Sequence, residues 1–582
     1  MFKLLKYLKP YWVEVLVLLF SIAVQTWFTL QLPALMAKIV NFGIVTGDKD
    51  YIFTVGFEML GYAVLISISA ISASFFSSRI GTAFSRDLRQ DFFTKILSFS
   101  ISEIDKFSTA SLITRTTNDI SQVQQTIVMM LSMMLRAPMM SIVALFQAFA
   151  TAPNMTWIIA LTVGIMLVLT TVILTSVVKK FKLFQKLLDK ITLLTRENLT
   201  GLRVIRAFNN QKLEKRKFAA TNSELTSTII SINKIMSLVS PLLGFLFNGV
   251  ALLCIWIGIS LMETDISYLG NMMAFMQYAI HVATSFLVLT FFFMMLPRAN
   301  VSAARINEVL KTKSKIRWKK VTSGEQSQTP SLEFKKVSFR YENAEEDVLK
   351  NISFRAEAGE TVAVIGSTGS GKSTLINLIP RFYEATSGEI LVNNLNIKQY
   401  SEADLMKNIG LIPQKGLLFS GTIGSNIAFA IPGAKENELE SAAKISQSSN
   451  FINKLPEKFN AHVAESGNNF SGGQKQRLSI ARAIAKHPKI YLFDDSFSAL
   501  DMKTDKLLRA ALKPITKNSV VLIVAQRVDT IKDADKIIVL EKGKVAGIGT
   551  HQSLLVSCDV YREIVKSQLS DEEYSKELSY AA

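Results

Sequence analysis

Six long apolar runs dominate the first half of this chain: Trp12 to Ile39, Val55 to Phe76, Val128 to Ala150, Trp157 to Val178, Leu238 to Met262 and Met272 to Leu296. Each approaches or exceeds the ~20 residues that a helix needs to cross a bilayer. One such run could be a buried helix of a large soluble core, but six in succession make that reading untenable. In lipid every backbone polar group has to be satisfied within its own segment, so the runs predict α-helices. The composition agrees, with 49% hydrophobic and 19% charged residues and a positive mean hydropathy.

The formal net charge is +18, and its placement decides what it means. Arg79, Arg86, Arg89, Lys95, Lys106 and Arg115 lie between the second and third runs; Lys179, Lys180, Lys182, Lys186, Lys190, Arg196, Arg203 and Arg206 follow the fourth. By contrast "TAPNMT" is uncharged and "METDIS" is acidic. This is the asymmetry of a membrane protein with a basic cytoplasmic side rather than the aromatic-interleaved patch of a nucleic-acid binder. It predicts that both termini and the two long basic connections are cytoplasmic. The opening "MFKLLKYLKP" separates Phe2, Leu5 and Leu8 from Lys3, Lys6 and Lys9 and reads as an interfacial helix ending at Pro10. The first run is longer than the apolar part of a secretory leader and lacks a convincing cleavage signature, so it is expected to be a retained span. Cys254 and Cys558 have neither a disulfide framework nor zinc-site spacing.

Both basic connections keep helical periodicity. Leu199, Leu202, Val204 and Ile205 form an apolar stripe in "RENLTGLRVIRAF", so the helices are expected to continue beyond the bilayer. Polar groups inside the runs (Glu58, Arg136, Asn248, Gln277 and His281) fit interhelical bonds or snorkelling better than substrate contacts. Methionines crowd the third and sixth runs, among them Met129, Met130, Met139, Met140, Met272 and Met276. Adaptable contacts to apolar ligands and plain helix packing explain them equally well.

The character changes after Leu310. Residues 311–330 are polar and aperiodic, a linker; from Ser331 short β-type runs alternate with helical patterns, which predicts an α/β domain with a largely parallel sheet. "TVAVIGSTGSGKST" is a strand entering Gly366, Ser367, Thr368, Gly369, Ser370, Gly371, Lys372, Ser373 and Thr374, a P-loop in the strand–turn–helix setting that such a motif requires. Its backbone amides would cradle phosphates, Lys372 would reach the β- and γ-phosphates, and Ser373 would ligate Mg2+. A second strand, "KIYLF", ends in Asp494, suited to holding the same ion. "NNFSGGQKQRLSIARA" starts another helix at Ser471, Gly472, Gly473 and Gln474, and so offers a second anion cradle. One nucleotide needs one cradle; the second is expected to serve another subunit's nucleotide.

Over essentially its whole length the chain resembles the ATP-binding cassette transporters, with the layout of an exporter-type half-transporter. The resemblance implies ATP and Mg2+ as cofactors, Tyr341 as the aromatic stacking on adenine, and Gln414 as a contact to Mg2+ and water. It also assigns "ESGNNF" around Glu465 to contacts with the coupling helices, Ser498 to Asp501 to the D-loop, and "FSTASLITRTTNDISQV" and "RENLTGLRVIRAFNNQ" to the two intracellular loops.

Two departures stand out. Asp495 occupies the position where the family has the Glu that polarises the attacking water, and Gln526 replaces the switch histidine. The shorter carboxylate retracts the base, and Gln cannot become charged. The pattern resembles one subunit of the heterodimeric bacterial multidrug exporters. The expected function is ATP-driven export of hydrophobic or amphipathic compounds across the cell membrane, with a partner half-transporter and an impaired site of its own. Ser471 to Gln474 would complete the partner's competent site. A homodimeric lipid or peptide exporter and a non-hydrolysing regulatory subunit are the alternatives. The expected fold is six transmembrane helices with cytoplasmic extensions in residues 1–310, the linker 311–330, and a nucleotide-binding domain in 331–568. The tail 569–582 is expected to be solvated.

Overall fold

The computed structural model describes residues 1–262, 268–324, 327–342 and 344–581; most of "METDIS" thus lies outside the described residues. The chain divides into two compact units, one of Met1–Leu97 with Ser108–Thr312 and one of Ser98–Phe107 with Lys313–Ala582.

Among the described residues the first unit contains six helical segments long and apolar enough to span a membrane: Lys3–Ile44, Lys49–Leu97, Thr109–Thr151, Pro153–Thr200, Gln211–Ile259 and Leu269–Lys311. They run 42 to 49 residues each, well beyond the bilayer requirement, so the basic connections are indeed helical extensions of the spans. Large apolar side chains such as Phe20, Phe57, Phe146 and Trp256 stand exposed, as a lipid-facing surface requires. Inside, small residues let helices approach closely: Ala144 and Ala148 are fully buried beside Cys254, Phe275 and Tyr278, and the Tyr278 hydroxyl donates to the Leu30 carbonyl oxygen at 3.1 Å. Met140 and Met272 are buried in this cluster with Met155, so these two methionines act as packing. The N-terminal segment Phe2–Tyr11 is a 3-10 helix that does not end at Pro10 as expected but runs directly into the helix Trp12–Lys38.

Where the third and sixth spans run together beyond the apolar zone, polar contacts replace apolar packing. Asp119, in a π-turn at Arg115–Asp119, accepts from Ser302 Oγ at 2.8 Å and faces Arg305 at 3.6 Å; Arg115 donates to Glu308 Oε2 and to the Arg305 carbonyl oxygen.

The second unit is built on a six-stranded sheet. Its strands are β1 Ser331–Phe339, β2 Leu349–Glu357, β3 Thr361–Gly366, β4 Ser387–Val392, β5 Leu395–Asn396, β6 Ile409–Ile412, β7 Gly421–Thr422, β8 His462–Val463, β9 Ile490–Asp494, β10 Val520–Val524, β11 Lys536–Glu541 and β12 Lys544–Gly549. The central sheet has the order β12-β11-β3-β10-β9-β6, parallel except for the edge strand β12. β1 and β2 belong instead to an antiparallel sheet of order β2-β1-β4-β5. The parallel strands read as unbroken apolar runs because both faces are buried: Ala363, Ile365, Tyr491, Phe493, Val521 and Ile523 enter one core, while Val362, Val364, Ile490, Leu492 and Leu522 enter the other. Lys542 and Gly543 both have positive φ and close the β11–β12 hairpin.

Three expectations change. The linker lacks helix and strand after Lys311 among the described residues, yet it is laid against the second unit: Ile316 is buried, Trp318 packs on the core beneath the Arg381 guanidinium, and Thr322 donates to Asp404. The tail is not a plain solvated terminus. It contains the helix Asp571–Ala581, and Leu569 and Tyr574 pack on the main core. The stretch before the third span that folds with the second unit is Ser98–Phe107, which meets the expected "FSTASLITRTTNDISQV" only at Phe107. There Tyr383 donates to Asp105 at 2.9 Å, and buried Glu103 accepts from the Lys315 amide.

Asp119→Ala removes the acceptor for Ser302 and the counter-charge for Arg305 in a buried setting; it is expected to cost about 1–3 kcal/mol, read as a lower unfolding temperature in detergent.

Candidate functional site

Three neighbouring strands end together. β10 pairs in parallel with β3 and with β9, so Val524 sits beside both Val364 and Asp494. The register places the chain leaving β3 (Gly366 onward), the acids at the end of β9 (Asp494 and, just past it, Asp495) and Gln526, two residues beyond β10, at one edge. Ligands of open parallel sheets bind at such carboxyl ends.

The loop from Gly366 to Gly371 is shaped for close backbone approach. A Cβ on Gly366 would collide with the Leu540 carbonyl oxygen and stand 2.7 Å from Ser370 Oγ. Gly371, at φ +98°, precedes the helix Lys372–Leu378 in the left-handed region, where Gly carries least strain. Lys372 Nζ donates to the carbonyl oxygens of Gly366 and Ser367, both at 2.8 Å, and so curls over the loop it closes. Burial lowers its pKa, with Asp495 and Asp494 opposing that shift. An ammonium held over a glycine-rich loop at a helix start suits an anion.

Beside it Ser373 Oγ donates to Asp494 Oδ1 at 3.1 Å. Burial raises the Asp494 pKa, Ser373 opposes that, and repulsion from Asp495 adds to it. A hydroxyl and a carboxylate side by side, with the carboxylate discouraged from carrying its charge alone, suit a hard divalent cation completed by phosphate oxygens and water. The donors present therefore fit Mg2+ together with a polyphosphate.

Asp495 itself is 8% exposed and has φ +47°, an unusual conformation for a residue with a side chain. Its amide donates to the Val524 carbonyl oxygen at 2.9 Å, and its carbonyl oxygen accepts from Ser498 Oγ at 2.7 Å. Two amide side chains meet on one carboxylate oxygen: Gln526 Nε2 donates to Asp495 Oδ2 at 3.1 Å and Gln414 Nε2 at 3.3 Å. The Tyr341 hydroxyl hydrogen-bonds Thr374 Oγ1 at 3.0 Å, which places this aromatic at the helix that the P-loop opens. Residues 366–374, Tyr341, Gln414, Asp494, Asp495 and Gln526 are thus brought together.

Ser471 to Gln474 form a different element. Ser471 caps the helix Gly472–Ala485 through a capping box with Gln474, and Gly473 passes the Ala499 carbonyl oxygen so closely that a Cβ would stand 3.2 Å from it. Gln476 Nε2 reaches the Pro413 carbonyl oxygen at 2.9 Å, which ties this helix to the segment carrying Gln414. Sequence reasoning missed Gln476 and also Gln568, whose side chain bridges the Gln526 carbonyl oxygen and the Val528 amide. No local pattern marks either, because their partners are distant in sequence.

Residues 15–286 match the model of the ABC transporter transmembrane region, and residues 349–498 match the ABC transporter model. An uncharacterised ABC transporter ATP-binding protein of Bacillus subtilis is 36% identical over 570 residues, covering 98% of this chain and 99% of that protein. The chain belongs to the ATP-binding cassette transporters. A Mycobacterium tuberculosis protein, likewise described as an uncharacterised ABC transporter ATP-binding protein, is 35% identical over 97% of both chains. A bacterial Atm1-family ABC exporter solved with ATP bound shares the fold at TM-score 0.77 and 23% identity, covering 97% of this chain and 99% of that one. This ABC transporter is therefore a multi-pass cell-membrane protein with the exporter fold and a cytoplasmic ATP-binding domain, and its cofactors are ATP and Mg2+.

Gly366→Ala is expected to weaken ATP binding by on the order of tenfold or more, because the loop has to shift away from Leu540. Competition against a fluorescent ATP analogue measures this, with unchanged helical content by circular dichroism as the control.

Proposed function

We propose that this ABC transporter chain is one half of a heterodimeric exporter of hydrophobic or amphipathic compounds, in which its own P-loop site holds ATP and hydrolyses it slowly. The observation that carries the reading is the double hydrogen bond from Gln414 and Gln526 to Asp495 Oδ2. An oxygen that accepts two amide donors has both lone pairs engaged and must give one up before it can accept from an attacking water. The Asp stem is also one methylene short of the family's Glu, and the backbone bonds at Asp495 keep it from advancing. A displacement of about 1 Å at a reacting centre costs on the order of a hundredfold in rate. Gln526 can donate a hydrogen bond toward a terminal phosphate but supplies no positive charge there.

In this reading Gly366 to Thr374 bind the phosphates, Ser373, Gln414 and Asp494 hold Mg2+, and Tyr341 stacks on adenine. Bound Mg2+ would supply the positive charge that draws the β- and γ-phosphate oxygens together. Ser471 to Gln474, with the backbone amides of a capped helix start, would complete the competent site on a partner half-transporter. The exposed apolar side chains of Leu202, Val204 and Phe208, on and next to the short helix Leu202–Ala207, support a second subunit as well, since an intracellular helix tip has no reason to display them to water.

The substrate class is supported by the lining of a small cleft of about 60 Å³ among the fourth, fifth and sixth spans, formed by Met166, Ile173, Met236, Leu243, Leu287 and Phe291. Its wall is almost wholly apolar, with Thr170 and Thr290 as the polar exceptions, and its two thioethers can repack around different shapes.

Steady-state ATPase activity of the full chain purified alone in nanodiscs, with Lys372→Ala as the blank, tests the reading. Activity at the blank level is expected, rising when a partner half-transporter carrying the Glu and His is co-expressed. Turnover well above the blank would instead make Asp495 a working base in a homodimer.

A further inference from the structure

The loop carrying Gln526 is held from outside the nucleotide site. Gln568 Nε2 donates to the Gln526 carbonyl oxygen at 2.8 Å, and Gln568 Oε1 accepts from the Val528 amide at 2.9 Å. A primary amide has a donor and an acceptor on one planar group, so a single side chain here does what a neighbouring strand would do for the backbone around Arg527. That backbone needs it, because β10 ends at Val524 and the helix Val528–Ile531 has only begun.

Gln568 is itself anchored. The flanking Leu569 and Tyr574 pack on the main core, and Ser570 accepts from the Glu573 amide to start the helix Asp571–Ala581. Farther along that helix Glu577 lies 3.4 Å from His551 Nε2, while His551 Nδ1 shares a 2.7 Å hydrogen bond with the Tyr561 hydroxyl. On the other side of the loop, the Gln526 side chain reaches Asp495 Oδ2. A continuous set of contacts therefore runs from the docked tail through Gln568 and the Gln526 backbone to the acid that closes β9.

We infer that Gln568 is a positioning residue for the nucleotide site: it fixes the Gln526 backbone and so holds the Gln526 amide where the terminal phosphate of ATP is received. The C-terminal segment thereby becomes a determinant of how this domain tells ATP from ADP. The inference rests on Gln526 facing that phosphate and not on slow hydrolysis at Asp495, since it concerns where the amide stands rather than what the acid does.

The experiment uses the full chain in nanodiscs, with ATP and ADP each competed against a fluorescent ATP analogue. Gln568→Glu keeps the side-chain length and the bond from Val528 but loses the donor to Gln526; Gln568→Met loses both bonds. Each is expected to weaken ATP about threefold to tenfold while ADP stays within about twofold, the scale of one lost hydrogen bond. Neither change is expected to add to the effect of Gln526→Ala, because Gln568 acts through that residue. Equal weakening of ATP and ADP, an undiminished effect in the Gln526→Ala background, or no effect of Gln568 beside a clear effect of Gln526→Ala would each overturn the inference. If Gln526→Ala also leaves the ATP-to-ADP preference unchanged, its assignment to the terminal phosphate falls together with the inference.

Discussion

The parallel register of β3, β10 and β9 is the constraint on which the rest of the nucleotide domain depends. It sets Val364, Val524 and Asp494 side by side, and so delivers the P-loop, the two acids and Gln526 to one edge from three distant stretches of chain. The alternation of Ala363, Ile365, Phe493 and Ile523 into one core against Val362, Val364, Leu492 and Leu522 into the other fixes that register. A slip by one residue would turn each set onto the wrong face and pull Asp494 away from Ser373. The chemistry at the edge is thus held by apolar packing beneath it.

At that edge the difference between Asp494 and Asp495 is one of partners. Asp494 faces Ser373 and Lys372, in an environment that a divalent cation would complete. Asp495 is turned by its left-handed backbone toward two neutral amides that share one of its oxygens. Adjacent residues of one type therefore have different surroundings: a hydroxyl and an ammonium beside one, and two neutral amides on the other. Helices of 42 to 49 residues in the first unit give the fold rigid arms of a length that a bilayer alone does not require. Such arms suit a rigid-body transition driven by nucleotide.

Much of this was legible in the sequence, because long-range order here follows from strong local signals. Six apolar runs of membrane length, the P-loop glycines after a buried strand, and the helix start at Ser471 each have a short-range physical cause. The antiparallel placement of β1 and β2 was not legible, since an edge strand and a parallel strand share the same apolar alternation over so few residues. The tail gave no signal because its anchoring depends on Leu569, Tyr574 and Gln568 meeting surfaces far away in the chain. The linker misled for a related reason: Ile316 and Trp318 are lone apolar residues in a charged stretch, and only the fold shows what receives them. Sequence singled out Asp495 and Gln526 but could not place both glutamine amides on the same carboxylate oxygen.

The most direct measurement is a gain of function. Asp495→Glu combined with Gln526→His restores the longer base and a ring nitrogen that can carry charge, and removes one of the two amides that occupy the acid. Single-turnover ATP hydrolysis by the full chain in nanodiscs is predicted to rise by at least about tenfold over the unmodified chain, as expected when a base regains its reach. Hydrolysis unchanged by the double replacement, with ATP still bound, would contradict the account that Asp495 and its two amide partners are what hold this site back.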